Sequence, residues 1–207
     1  MNKRSIEAIF FDLGNVIVGV NAEKLEKTFA ERGKVEDGKV VEYFLDSDNM
    51  NRYMEGKLSS SQFYSRTKRQ FKLDIRYGDF YELWNGIFYP IPEMEALIKT
   101  LKKDHPEIKL ILVSNTNETH YDYIKEEYKI LDLLDGHVVS HEVGCQKPDR
   151  KIFNEALGLA GSIPPKTFYV DDRMDLIESA RVMGIHAYQF VGADQFQKDL
   201  TKCNIHI

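Results

Sequence analysis

Short apolar runs recur along the chain, and most of them stop at a polar residue. Ala8-Ile9-Phe10-Phe11 stops at Asp12, Leu110-Ile111-Leu112-Val113 at Ser114, and Thr167-Phe168-Tyr169-Val170 at Asp171-Asp172. Gly136-His137-Val138-Val139 is a weaker run, and Ile185 to Val191 supplies a fifth. The runs are continuous rather than alternating, which suits strands buried on both faces, as in a parallel sheet.

Between the runs, apolar positions fall at helical spacing. Pro92 opens a helix with Met94, Leu97, Ile98 and Leu101 on one face. Residues 117–129 read as a second helix. Residues 149–160, after Pro148, align Ile152, Phe153, Ala156 and Leu157; residues 173–183 align Leu176, Ile177 and Ala180. Strand and helix alternate, so the pattern predicts an α/β fold with a doubly wound, mostly parallel, Rossmann-like sheet. The gap between the first two strands is too long for one crossover. Helical patterns at 22–32, 36–46, 60–71 and 77–88 fill it. Tyr43, Phe44, Tyr53, Phe63, Phe71, Phe80 and Trp84 are among the aromatics that crowd there. We expect residues 1–19 and 91–207 to form the α/β core domain and residues 20–90 an inserted all-helical domain with its own core.

Composition narrows the classes of function. The 207 residues are 43% hydrophobic and 29% charged, a globular balance. The net charge of −5 argues against a dedicated nucleic-acid binder. Cys145 and Cys203 show neither metal spacing nor a disulfide framework, which suits a reducing, cytoplasmic setting. Glu7 and Asp12 bracket the apolar run near the amino terminus, unlike a secretory signal, and no run is long enough to cross a bilayer. A soluble protein without a membrane partner is expected.

The candidate chemistry sits where strands end. Ligands of open α/β sheets bind at the carboxyl ends of the strands. Asp12, Ser114 and Asp171-Asp172 occupy that edge, and Lys147 follows the weak strand in Gly144-Cys145-Gln146-Lys147-Pro148. Two carboxylates from different strands can hold Mg²⁺, which takes oxygen ligands. The metal and the lysine would neutralise phosphate charge. Ser114 and free backbone N–H groups can hold phosphate oxygens, and one carboxylate can attack phosphorus. Taken singly, each residue has a plain structural reading. Asp12 could be a turn residue, Asp172 and Asp175 helix-start acids, and Lys147 a solvated cation. Four such features in one order at one edge outweigh those readings. His137 and His141 are spaced i,i+4, but the strand-like Val138-Val139 between them separates the rings. Arg66-Thr67-Lys68-Arg69 reads as a solvated helix face.

The motifs carry a resemblance. Phe10-Phe11-Asp12-Leu13-Gly14-Asn15-Val16-Ile17, Leu112-Val113-Ser114-Asn115-Thr116-Asn117, Lys147-Pro148-Asp149 and Tyr169-Val170-Asp171-Asp172 occur in the order and spacing of the haloacid dehalogenase-like (HAD) hydrolase superfamily. The chain resembles that superfamily over essentially its full length, and the insertion resembles its small helical C1-type cap. Among members it is most similar to bacterial sugar-phosphate phosphatases of the α-D-glucose-1-phosphate phosphatase type. The resemblance implies a Mg²⁺-dependent phosphoric monoester hydrolase that acts through an aspartyl-phosphate on a small phosphorylated metabolite, a sugar phosphate. It implies Asp12 as nucleophile and metal ligand, Asp172 as the second metal carboxylate with Asp171 in support, and the Gly14 carbonyl as a further ligand. It implies Ser114 and Asn115 as phosphate-binding residues and Lys147 as a catalytic bridge from Asp12 to phosphate. Glu55-Gly56-Lys57 would be a substrate-facing turn of the cap.

One departure stands out. Where most phosphatases of the superfamily carry a second Asp for proton transfer, this chain has Gly14. A general acid–base contributes roughly 10²–10⁴-fold. A less basic leaving group, a proton from Asp46, Asp48, Glu55 or water, or slow turnover would each answer the loss. The competing functions are a dehalogenase, a phosphomutase and a non-catalytic phosphate-binding regulator.

Overall fold

The computed structural model describes residues 5–33 and 39–207 of the chain. β1 (Ala8–Phe11) is followed by a tight turn and a short strand, β2 (Val18–Val20). Then come α1 (Ala22–Arg32), α2 (Lys39–Asp46), α3 (Asp48–Met54), α4 (Ser60–Phe71) and α5 (Tyr77–Asn85). β3 (Phe88–Pro90) pairs antiparallel with β2, so the chain enters and leaves the helical segment through one two-stranded ribbon. Strands and helices alternate from there: α6 (Pro92–Asp104), β4 (Lys109–Ser114), α7 (Glu118–Glu127), β5 (Gly136–Val139), the short α8 (Ser140–Val143) and α9 (Arg150–Ala160). β6 (Thr167–Asp171), α10 (Met174–Val182), β7 (His186–Gln189) and α11 (Ala193–Lys202) complete it.

Five strands pair in the order β5-β4-β1-β6-β7, all parallel. Successive strand residues face opposite sides. Ile9 and Phe11 enter a core with Met94, Ile98, Ile124, Phe196 and Leu200 from the helices of one face. Ala8 and Phe10 enter a second core with Ile152, Phe153, Ala156 and Ile177 from the other. Burial on both faces is why the strands read as unbroken apolar runs. β1 lies at the point where the strand order reverses, and the carboxyl ends of β4, β1 and β6 open there side by side.

The helical segment has a third core, centred on Phe29, Tyr53, Phe63, Phe71, Phe80 and Trp84. Tyr53 stacks on Phe63 with ring centroids 4.3 Å apart. The predicted helix 77–88 stops at Asn85, because Phe88 is taken up by the ribbon. The helix expected over 36–46 is observed from Lys39; residues 36–38 lie outside the described residues, as do residues 1–4 of the expected core segment. In the basic run 66–69, Arg66 and Arg69 are exposed, but Thr67 is buried and Lys68 donates to the Ile75 carbonyl at 2.7 Å. Among the described residues, no helix is long and apolar enough to cross a membrane.

The helical segment docks on the start of α7. Tyr53 Oη meets Thr119 Oγ1 at 3.0 Å, and the Ser60 hydroxyl donates to the Glu118 carboxylate. Buried His120 stacks on Trp84 with centroids 4.4 Å apart. Its two ring nitrogens are matched for the neutral form: Nε2–H donates to the Trp84 carbonyl at 3.2 Å, and Nδ1 accepts from Asn117 Nδ2 at 3.1 Å. A second ring proton would point at the Asn117 amide protons. Burial lowers the His120 pKa to about 3, with the bond to Trp84 opposing. An unfolded imidazole takes up its proton near 6.5 and the folded one near 3, so stability is full above the first value and falls as pH drops between them. Urea unfolding should therefore show a loss of about 1.4 kcal/mol per pH unit below 6.5 from this residue. That part of the slope should be missing in His120→Gln; an unchanged slope in the variant would contradict the assignment.

Candidate active site

The site is built on a buried ammonium. Lys147 is 3% exposed, and its Nζ donates to Asp12 Oδ1 at 2.6 Å and to Asp171 Oδ2 at 2.7 Å. The Asp12 N–H, just past β1, donates to the Val170 carbonyl at 3.0 Å and carries the β1–β6 pairing one step further. Asp12 and Asp171 thereby emerge side by side. Asn115, just after β4, brackets the lysine at its backbone: its Oδ1 accepts from Lys147 N at 2.7 Å, and its Nδ2 donates to Lys147 O at 2.9 Å. The Lys147–Pro148 peptide is cis.

Asp171 is fully enclosed. The Tyr169 hydroxyl, two residues back on the same face of β6, donates to Oδ2, and Arg173 N donates to Oδ1 at 2.9 Å. Asp172 is half-buried and accepts from Asn15 Nδ2 at 3.0 Å. Asn15 sits in the left-handed region at φ 58°, and its Oδ1 accepts from Val20 N at 3.2 Å. Its side chain ties the turn after β1 to Asp172.

Charge is unbalanced here. Oxygen atoms of Asp12, Asp171 and Asp172 lie within 4.8 Å of one another, with one ammonium among them. Burial pushes Asp12 up to about 6; Lys147 opposes that shift and the Asp171 charge adds to it. Burial also raises Asp172, with Asn15 opposing and Asp171 adding. Burial works against the Lys147 charge, but Asp12 and Asp171 outweigh it and hold the amine above its ordinary value. A hard divalent cation takes oxygen ligands and would supply the missing positive charge. The three carboxylates have the donor chemistry to hold one, and among the described residues they are the acidic cluster with that geometry.

A cavity of about 660 Å³ opens over these residues. Asp12, Asn115, Lys147 and Asp171 form part of its floor, and Phe44, Met50, Asn51, Met54 and Glu55 of the helical segment form the facing wall. Ser114 is buried at the end of β4. Gly14 bridges to Val18, and a Cβ placed on it would lie 3.3 Å from Val20 Cγ2. Of the acids considered as proton donors, Glu55 lines the cavity and pairs with Lys57 at 2.5 Å, whereas Asp48 is exposed. The Asp46 side chain lies outside the described residues. His137 is engaged at both ring nitrogens, by Tyr121 Oη at 2.8 Å and the Leu131 carbonyl at 3.1 Å, so it has no nitrogen left for a metal.

Tyr169, Asn15 and Arg173 were not singled out from the sequence. Tyr169 had a readable signal, since a strand residue two places before Asp171 shares its face. Asn15 and Arg173 act through a turn conformation and a backbone N–H, which side-chain type does not reveal.

The comparisons agree with this geometry. The family model of the haloacid dehalogenase-like hydrolases matches residues 6–184. A D-ribitol-5-phosphate phosphatase of Bacteroides thetaiotaomicron is 23% identical over 204 residues, covering 95% of this chain and 97% of that one. A HAD-like family hydrolase of Porphyromonas gingivalis shares the fold with a TM-score of 0.82 at 23% identity, over 98% of this chain and 99% of that one. A HAD family enzyme of Bacteroides thetaiotaomicron, solved with magnesium and inorganic phosphate, gives 0.78 at 21% identity over 89% and 94%. With the match spanning four of the five parallel strands, the helical segment and all the strand-end residues, the chain belongs to the haloacid dehalogenase-like hydrolases.

Proposed function

We propose that the chain is a Mg²⁺-dependent phosphatase that uses Asp12 as nucleophile on a small phosphate ester, a sugar or polyol phosphate. The observation that carries this reading is the cluster of three carboxylates around one buried ammonium at the floor of a cavity. Dehalogenation needs the nucleophile but no cation, and three close carboxylates without one repel. The sugar or polyol class is supported by the motif resemblance and by the D-ribitol-5-phosphate phosphatase relative.

In this reading Asp12, Asp172 and the Gly14 carbonyl hold the metal, with Asp171 in support. Bound there, Mg²⁺ would supply positive charge to offset that of the transferring phosphoryl group. Asp12 attacks phosphorus, the ester P–O bond breaks, and the leaving oxygen takes a proton. Water then hydrolyses the aspartyl-phosphate, releasing phosphate and restoring Asp12. Lys147 holds Asp12 in line and offsets phosphate charge. Ser114 and the backbone N–H groups beside Asn115 receive phosphate oxygens. Residues 20–90 act as the cap on the core formed by 1–19 and 91–207, excluding water during the first step. With Gly14 in the acid–base position, the leaving-group proton comes from the cap side or from water.

The purified chain should release phosphate from p-nitrophenyl phosphate and from members of a sugar and polyol phosphate panel only with Mg²⁺, and EDTA should abolish the release. Full activity in EDTA would overturn the metal reading. Turnover of 2-chloropropionate in place of the esters would favour dehalogenation, and turnover of nothing would favour a phosphate-binding regulator. Asp12→Asn should lower kcat by roughly 10³-fold or more. Lys147→Met leaves buried carboxylates unpaired and should lower unfolding stability by about 3 kcal/mol as well as activity. A fully stable Lys147→Met chain would show that the ion pairs do not hold the site.

A further inference from the structure

Ser140, the first residue of α8, is fully buried, and its hydroxyl meets three backbone groups. Thr116 N donates to Oγ at 3.0 Å; the Met54 carbonyl lies 2.6 Å away and the Thr116 carbonyl 2.9 Å. A hydroxyl has one proton to give, so the two carbonyls compete for it. Thr116 belongs to the loop that follows Ser114 at the end of β4 and carries Asn115. Met54 ends α3 and lines the cavity from the opposite wall.

The end of α3 is completed by this contact. Last-turn carbonyls of a helix have no helical partner. Those of Asn51, Arg52 and Tyr53 accept from the N–H groups of Glu55, Lys57 and Gly56 in the following turn. The Met54 carbonyl accepts from Ser140 across the cavity edge. Gly56 makes that approach possible. Its φ is +68°, and a Cβ there would lie 2.2 Å from the His141 carbonyl oxygen of α8.

We infer that Ser140 is a positioning residue whose single proton registers the cap turn against the loop of Ser114 and Asn115. The proton goes to Met54 when the turn is docked and to Thr116 when the turn lifts. Neither state strands a buried hydroxyl proton, so opening and closing avoid that penalty. While Ser140 faces Met54, His141 Nδ1, 3.3 Å from the Thr116 carbonyl, is placed to serve it. The consequence for turnover rests on the phosphatase reading, whereas the coupling itself can be read without activity.

Hydrogen exchange on the full chain tests it, with Ser140→Ala and Gly56→Ala beside the wild type. Ser140→Ala removes the hydroxyl that contacts both segments, so amides of 53–57 and of 115–118 should exchange about 10-fold faster while the central strands keep their rates. Gly56→Ala lifts the turn but keeps the hydroxyl, so only 53–57 should quicken. In a kinetic arm with p-nitrophenyl phosphate, Gly56→Ala should lower kcat about 10-fold with an unchanged inhibition constant for inorganic phosphate. Ser140→Ala should weaken phosphate as well. Wild-type rates at 115–118 in Ser140→Ala, or equal loosening of both segments in Gly56→Ala, would overturn the inference. Should Ser140→Ala fail to fold, the Gly56→Ala pattern decides. A wild type without turnover sinks the phosphatase reading and leaves the exchange result to judge Ser140.

Discussion

Lys147 carries its charge out of water, and much of the core is arranged to make that tolerable. A buried cation is stable only with close, well-directed partners. Those partners arrive from three neighbouring strands. The β1–β6 register, Phe11 against Val170, sets Asp12 next to Asp171. β4, on the other side of β1, leads directly into Asn115, whose amide grips the lysine backbone from both sides. The strand order β4-β1-β6 is therefore what fixes one amine between two carboxylates, and a different order would scatter them.

The same arrangement leaves a surplus of negative charge. Asp171 gives its lone pairs to Tyr169, Lys147 and the Arg173 N–H, so its charge is anchored within the protein. Asp12 has one oxygen on the lysine, and Asp172 is held only by Asn15 among the side-chain bonds described. Of these, Asp12 lines the cavity, and its cluster with Asp171 and Asp172 is where a cation would meet the surplus charge. The protein has stabilised the floor of the site and left the upper side to be completed by what binds there.

How much of this was readable depends on whether a residue acts by its type or by its place. The sheet was legible because burial on both faces writes an unbroken apolar run, as in Ala8–Phe11 and Thr167–Val170. Asp12, Lys147, Asp171 and Asp172 were legible because charged groups at strand ends have few structural reasons to gather. α11 was not: of its ten residues only Phe196, Asp199 and Leu200 are buried, too few for a clear stripe. The β2–β3 ribbon was missed because three-residue strands lack a period, and Ile87 and Phe88 continue the helical pattern of α5. Ser140 carries no chemical signal at all. A buried serine after a strand looks like filler, and its two competing carbonyls come from segments 86 and 24 residues away.

Gly14 belongs to that second kind. From the sequence it is a missing carboxylate, an omission at an otherwise complete site. In the fold the space beside it is close-packed on one side: Val20, from the first strand of the ribbon, sits 3.3 Å from where a Cβ would stand. A side chain at 14 would press on the Val20 side chain by a few tenths of an ångström, while the Val20 backbone N–H donates to Asn15, which in turn holds Asp172. The turn after Asp12 is thus tied to Asp172 through Asn15 and the Val20 backbone. Across the cavity from Asp12, Glu55 is the carboxylate of the described helical-segment residues that lines the wall.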